Sequence, residues 1–426
     1  MHKEYLAASP NGLTRDEFRG ALQRSLEGRE LKKVLLLPPD FTRYNSNCGL
    51  VCNLYYHLLR DAGVEVDIMP AVGSHYAVTR EEADIMFGDI PYEALQYHNW
   101  RTDVVRLGTV PGDYLARLSD GLWTESIDVE IDRRVLDPSY DLIISMGQVV
   151  PHEVVGMGNY TKNLFVGVGG SDMINKSHML GAIYGLERII GRDHTPVRDL
   201  YDYALEHFLS DRKILFVQTV CTASEGAIHT HGLFIGEDRD TFEAAVALAL
   251  RTNVTFVDTG IRKCVAYLDP LEFRSTWVGN KAIYRTRKAM ADGGELIILA
   301  PGVQTFGEDS VIDQLLRKYG YCGSAKVLAH LKDPACEDLR NMQSVSAHII
   351  HSSVDGRFRI TYAVARDMVE PVKGIGYNAM DIEEALRLYN PDRLSPGYQT
   401  MPDGEEIYFI PNPAIGLWIN RETFER

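Results

Sequence analysis

The sequence predicts an α/β protein built as two α/β domains with mainly parallel sheets. Three observations carry that expectation. Short apolar runs flanked by Gly, Pro or Asp recur along the chain and alternate with amphipathic stretches, the pattern of buried parallel strands joined by helices. The 426 residues exceed what one core usually organises, ~100–200 residues per domain. Apolar residues at 45% and charged residues at 24% fall in the range of globular chains, away from disordered or fibrous classes.

In order, the predicted strands lie in KKVLLLPPD (32–40), VEVDIMPAVG (64–73), YDLIISMGQV (140–149), RKILFVQTV (212–220), KCVAYLD (263–269), GELIILAPG (294–302) and AKVLAHL (325–331). Between the first two, Gly49–Gly63 reads as a helix with Leu50, Leu54 and Leu58 on one face and a glycine at its C-cap. A helical segment over Asp240–Thr252 precedes KCVAYLD and sets the boundary, giving domains 1–257 and 258–426, the last segment able to pack back on the first domain. Three strands end in polar turns, at Asp40–Arg43, Ser74–His75 and His152. In open α/β sheets the carboxyl ends of strands form the ligand crevice, so these turns are candidates to converge.

Composition removes several functions. A net charge of −15, with 44 Lys+Arg against 59 Asp+Glu and no basic run, argues against nucleic acid as a partner. Six cysteines without a CxxC pair, and an N-terminus lacking a basic-then-apolar leader pattern, point to reduced thiols and a cytoplasmic setting. No apolar run approaches the ~20 residues of a membrane span.

The richest segment is Pro151–Gly181, PHEVVGMGNYTKNLFVGVGGSDMINKSHMLG. His152 is a candidate general acid/base, Lys162 a candidate nucleophile or covalent anchor if desolvated, and His178 a candidate metal ligand. Each also has a structural reading, since a lone histidine is more often a hydrogen-bonded scaffold residue and a lone lysine a solvated cation. GVGGSD lacks the spacing and acidic partner of a dinucleotide fold, and His152–Glu153 fails as a zinc-peptidase motif because position i+4 is Gly156.

Together the residues resemble the nickel-dependent lactate racemase family: His152, Gly156-x-Gly158, Lys162 and Asn175-x-x-His178 stand in its order and spacing. Asp40-x-x-Arg43, Gly73-x-His75 and, in the second half, Tyr284-x-x-x-Lys288 also match. The resemblance implies an active site in the cleft between the two domains. It implies a nickel-pincer nucleotide, pyridinium-3-thioamide-5-thiocarboxylate mononucleotide with Ni, made by maturation proteins and covalently attached to Lys162. Gly158 then contacts the cofactor, Asp40 either contacts it or orients His75 or Arg43, His178 binds the nickel, and His75 and His152 are the catalytic bases. The reaction implied is inversion of the C2 carbinol of a 2-hydroxy acid by proton-coupled hydride transfer, through a planar 2-keto acid.

Arg43, Arg285 and Lys288 are the candidates for holding the substrate, a bidentate guanidinium fixing a carboxylate best. Two departures bear on substrate: Arg285 stands where the family's lactate enzymes have glutamine, and NMQSVSAHIIHSS offers Val345 or a neighbour where they have tryptophan. A polar 2-hydroxy acid is therefore expected in place of lactate. Rival readings are a C2 epimerase of a longer aldonate and a cofactor-free homologue that binds an organic acid. His98, His194, His229, His231, His348 and His351 are read as structural or surface residues.

Overall fold

A computed structural model describes residues 2–224 and 226–424. The chain divides into two units, Met1–Asn253 and Val254–Arg426.

The N-terminal unit is organised by a six-stranded sheet. Its strands are β1 (His2–Leu6), β2 (Lys33–Leu37), β3 (Glu65–Ile68), β4 (Leu142–Gln148), β5 (Ile214–Ser224) and β6 (Ala227–Gly236), in the spatial order β1-β6-β5-β4-β2-β3. β3, β2, β4 and β5 run parallel, while β5, β6 and β1 are joined antiparallel. The mixed sheet fits the sequence pattern: all seven residues of Leu142–Gln148 are buried, as expected of a strand covered on both faces. β6 instead alternates toward its start, where it joins the β5–β6 hairpin. Helices α1 (Arg15–Leu26) and α2 (Cys48–Asp61) cover one face. α1 begins in a capping box in which Thr14 and Glu17 satisfy each other's amides.

The helix over 48–61 forms as predicted and Gly63 follows it in a positive-φ conformation, but its buried face differs. Cys48, Val51, Cys52, Tyr55 and Leu59 form the core stripe at i, i+3, i+4 spacing; of the predicted leucines Leu54 is buried beside it, while Leu50 and Leu58 only flank it.

The C-terminal unit holds a second six-stranded sheet, of β7 (Ile261–Tyr267), β8 (Met290–Leu299), β9 (Arg359–Val364), β10 (Asn378–Asp381), β11 (Gly397–Thr400) and β12 (Glu406–Ile410). Their order is β10-β9-β8-β7-β12-β11, parallel except for the antiparallel β11 edge. One expected strand is a helix: AKVLAHL lies within Ser324–Lys332, where Val327 is buried and Leu328 is exposed. Ala, Lys and Leu are strong helix formers, and a run without β-branched residues apart from one valine favours helix over strand.

All six cysteines are free thiols. Among the described residues no helix is long and apolar enough to cross a membrane.

Candidate active site

The strand order makes β4, β2 and β3 neighbours, so the three polar turns that follow them lie side by side at the carboxyl end of the sheet. After β2, Pro38 and Pro39 end the ladder because proline has no amide proton to donate. Asp40 then opens a 3-10 turn, Phe41–Ser46, that carries Arg43. After β3, Gly73 adopts φ 58°, and a Cβ there would lie 3.3 Å from the Val166 carbonyl, so the turn that delivers His75 needs glycine. The Gly73 amide donates to the Gly167 carbonyl at 2.9 Å, tying this turn to the segment that follows Lys162.

That segment is stitched across the strand ends. The side-chain amide of Asn163 donates to the Leu37 carbonyl (3.2 Å) at the end of β2 and to Ser145 Oγ (3.0 Å) on β4. Residues Asn163–Gly167 form one turn of π-helix, a form found chiefly where function demands an irregular backbone. Upstream, Asn159 and Tyr160 both hold positive φ (66° and 57°), a conformation costly for a bulky aromatic residue. Lys162 is thus placed by backbone fixed on both sides.

Two imidazole–carboxylate pairs flank this region. His75 Nδ1 lies 2.5 Å from Asp40 Oδ2, and Thr42 Oγ1 donates to the other Asp40 oxygen at 2.6 Å. Burial would raise the Asp40 pKa, but the charge and hydrogen bond of His75, with Thr42 and Arg43, outweigh it and hold the carboxyl below its usual range. An ionised Asp40 requires a proton on His75 Nδ1, which leaves the Nε2 lone pair of the neutral ring as the basic position. His152, buried in a short bridge with Gly156, accepts the Val154 amide on Nδ1 at 3.1 Å, so its neutral form carries the proton on Nε2. Glu153 Oε2 stands 3.7 Å from the same Nδ1. Charging His152 puts a proton on Nδ1, and the Glu153 carboxylate is the group placed to receive it.

The Lys162 pKa falls to about 7, first through burial and then through the Arg43 guanidinium; Glu153 and Asp40 act in the opposite sense. Near neutrality a large share of this amine is unprotonated and nucleophilic. His178 lies on α3 (Ser171–Tyr184), where its Nδ1 lies 2.6 Å from the Ile174 carbonyl. The carbonyl can only accept, so Nδ1 bears the proton and the lone pair of the neutral ring is on Nε2. Gly181, one helical turn further on, packs against the Val154 carbonyl, where a Cβ would stand 2.8 Å away, so the helix lies against the His152 turn. Among the described residues His178 belongs to no cluster of three metal-binding side chains.

The glycine-rich turn GVGGSD does not serve as a phosphate cradle. The first turn of α3 is filled by Glu130, whose Oε2 accepts the Asp172 amide at 2.8 Å and sits where a Cβ on Gly170 would be. Gly158, by contrast, leaves ordinary contact distances to Val150, Gln148 and His152. Arg285 and Lys288 belong to the C-terminal unit: Arg285 is fully buried on the helix Lys281–Thr286, and Lys288 is half-buried beyond it. In the same unit Trp277 stacks on His348 at 3.9 Å, and His348 also meets the Tyr284 and Tyr321 hydroxyls at 2.8 and 3.0 Å. Val345 is buried. Sequence reasoning missed Thr42, Asn163 and the Glu153 partnership; only Glu153 had a visible signal, its adjacency to His152.

Paired imidazoles and carboxylates at the carboxyl end of a parallel sheet make an arrangement suited to acid–base chemistry. Comparison with known proteins gives one family match within the N-terminal unit and two matches of fold. Residues 21–187 match the lactate racemase N-terminal domain family. A solved protein from Thermotoga maritima, a structural-genomics target, shares the fold with a TM-score of 0.84 at 22% identity, over 97% of this chain and 99% of that one. The lactate racemase apoprotein from Thermoanaerobacterium thermosaccharolyticum shares it with a TM-score of 0.67 at 16% identity, over 96% and 93%. No curated protein sequence matches the chain.

Proposed function

We propose that the chain is an isomerase that inverts the C2 carbinol of a 2-hydroxy acid, with a nickel-pincer nucleotide tethered to Lys162. The observation that carries this reading is the pair of imidazole–carboxylate groups, His75–Asp40 and His152–Glu153, on turns that adjoin a lysine shifted to about 7. Inversion needs a proton taken on one face and returned on the other, and two such pairs supply both. The residues suit the cofactor as well: an amine able to be acylated at neutral pH, and an imidazole whose Nδ1 is bonded to a carbonyl, so that Nε2 would be the ligating nitrogen.

Lys162 would anchor the group, His178 would hold its metal, and Asp40 and Gly158 would line it. When bound, it supplies the hydride acceptor that the side chains themselves lack. His75 takes the hydroxyl proton on Nε2 while Asp40 keeps its Nδ1 proton and bears the charge. In its charged form His152 returns a proton from Nε2, while the Nδ1 proton stays on the ring, held toward the Glu153 carboxylate. The two roles exchange for the opposite enantiomer. Arg43 clamps the carboxylate from this unit; Arg285 and Lys288 are the proposed contributions of the other, and they favour a polar 2-hydroxy acid over lactate.

Intact mass and metal analysis of chain produced with the maturation enzymes test the reading. An adduct of one modified nucleotide plus nickel is expected on Lys162 and absent from Lys162→Ala. An adduct that persists in Lys162→Ala, or racemase activity in protein lacking any adduct, overturns it.

A further inference from the structure

Arg198 lies on the helix Pro196–Phe208, outside every segment that carries the candidate site. It is fully buried, an unusual state for a guanidinium. Its hydrogen bonds run to the turn that precedes Lys162: Nη1 donates to Thr161 Oγ1 at 2.6 Å, and Nη2 donates to the Met157 and Asn159 carbonyls at 2.6 and 3.1 Å. Thr161 passes the contact on, its hydroxyl donating to Asp202 Oδ1 at 2.6 Å, and Asp202 pairs with Arg239. The guanidinium carbon lies 4.5 Å from the Phe242 ring, on which Tyr160 stacks at 5.2 Å. One buried cation thus gathers the carbonyls of two residues and the hydroxyl of a third, around Asn159 and Tyr160, which hold positive φ side by side. Without it the Met157 carbonyl would lose its charged donor and the Asn159 carbonyl would keep only the Lys162 amide at 3.3 Å, and the turn would relax toward ordinary φ.

We propose that Arg198 is a positioning residue for Lys162: its guanidinium holds the 157–161 turn in the left-handed form that delivers the lysine side chain, and so sets where the amine sits and how readily it reacts. The proposal rests on the reading of Lys162 as the anchoring amine. Burial is the first cause of the lowered Lys162 pKa, so a relaxed turn that lets water reach the amine raises it. The charges that act on the amine are Arg43, Glu153, Asp40 and Arg198 itself, with Arg198 the weakest; its effect is exerted mainly through the backbone.

The test uses full-length chain from a host without the maturation enzymes, so that Lys162 is unmodified. Trace acetic anhydride labels amines at a series of pH values, and peptide mapping reads the rate at Lys162. In wild type the rate should reach half its alkaline limit near pH 7. In Arg198→Met and in Arg198→Lys, which keeps the charge but not the fork, the midpoint should rise by about one unit or more, slowing Lys162 labelling at pH 7 about fivefold or more. Thr161→Val, which removes the Nη1 acceptor with little change in shape, should move it in the same direction by less. Leu22→Ala, a core change in the same unit, should destabilise without moving it. Folded Arg198→Lys and Thr161→Val with the wild-type profile would overturn the proposal. If the shift is found yet Lys162 acquires no adduct in a maturation-competent host, the cofactor reading fails while the positioning role stands.

Discussion

Lys162→Met should stabilise the unmodified protein, and by an amount that depends on pH. In the folded chain the amine titrates at about 7, against 10.5 for an ordinary lysine. A gap of about 3.5 units at 1.36 kcal/mol per unit corresponds to about 5 kcal/mol as an upper figure. Because the side chain is half-buried, water screens part of it, and about 2–3 kcal/mol is the expected effect. The sign follows from proton counting. Between pH 7 and 10.5 the unfolded chain binds the proton and the folded chain does not, so stability rises with pH across that window. Below pH 7 the folded chain carries the full penalty of a buried ammonium; above 10.5 it carries none. Methionine has similar length and no charge, so it removes the penalty without opening a cavity. Urea unfolding of wild type and variant, followed through the transition of the N-terminal unit at pH 6, 8 and 10, measures the difference. A gain of about 2–3 kcal/mol at pH 6 that shrinks steadily toward pH 10 is expected. A difference that is flat in pH, or a variant less stable at pH 6, would show that Lys162 is solvated and would remove the chemical basis for its reactivity at neutral pH.

Asp40→Asn should cost about 10³–10⁴ in turnover of loaded enzyme, because an amide can present N–H to His75 Nδ1 and fix the wrong tautomer; chiral chromatography of both enantiomers checks it, and wild-type rates would refute the His75–Asp40 assignment. Glu153→Gln should cost less, about 10–10²-fold, since its carboxylate stands 3.7 Å from the ring and engages only the charged state. His178→Ala should lose nickel while keeping the organic adduct, read by metal analysis beside intact mass; full nickel occupancy would return His178 to a structural role. Asp132 is held at about 2, since hydrogen bonds from Arg134 and His98 outweigh its burial; its contribution of about 2 kcal/mol is complete above pH ~4 and is lost as pH falls toward 2, so acid unfolding of wild type and Asp132→Asn should converge at low pH. On a panel of 2-hydroxy acids, a dicarboxylate or aldonate should be turned over at least about tenfold better than lactate, and lactate as the best substrate would show that Arg285 does not read the substrate.

The α/β class was legible because buried parallel strands write themselves as uninterrupted apolar runs, and 142–148 and 214–220 did so. AKVLAHL misled because a short apolar run has no period of its own, and only the propensities of Ala, Lys and Leu separate helix from strand there. In the helix 48–61 Leu54 is buried as predicted, but Leu50 and Leu58 flank a core stripe made of Cys48, Val51, Cys52, Tyr55 and Leu59. The candidate site residues stood out through their spacing, whereas their partners did not. Asn163 acts through an amide that reaches two other strands, and Arg198 through carbonyls some forty residues upstream; neither leaves a local pattern, since PVRDLYDY reads as an ordinary surface helix. Long-range hydrogen bonds to backbone carry no sequence signature on the accepting side, because every residue offers a carbonyl.

The Arg198 clamp also has a consequence in time. Lys162 leaves the ribosome before the residue that holds its turn, and the hairpin strands that flank the completed sheet, 214–224 and 227–236, come later still. At roughly 5–20 residues per second the lysine spends on the order of seconds as an ordinary, solvated ammonium on an unfinished chain. Its amine becomes distinguishable from other lysines only after the helix at 196–208 has docked. Modification that relies on the lowered pKa of this amine would therefore follow the docking of the helix at 196–208.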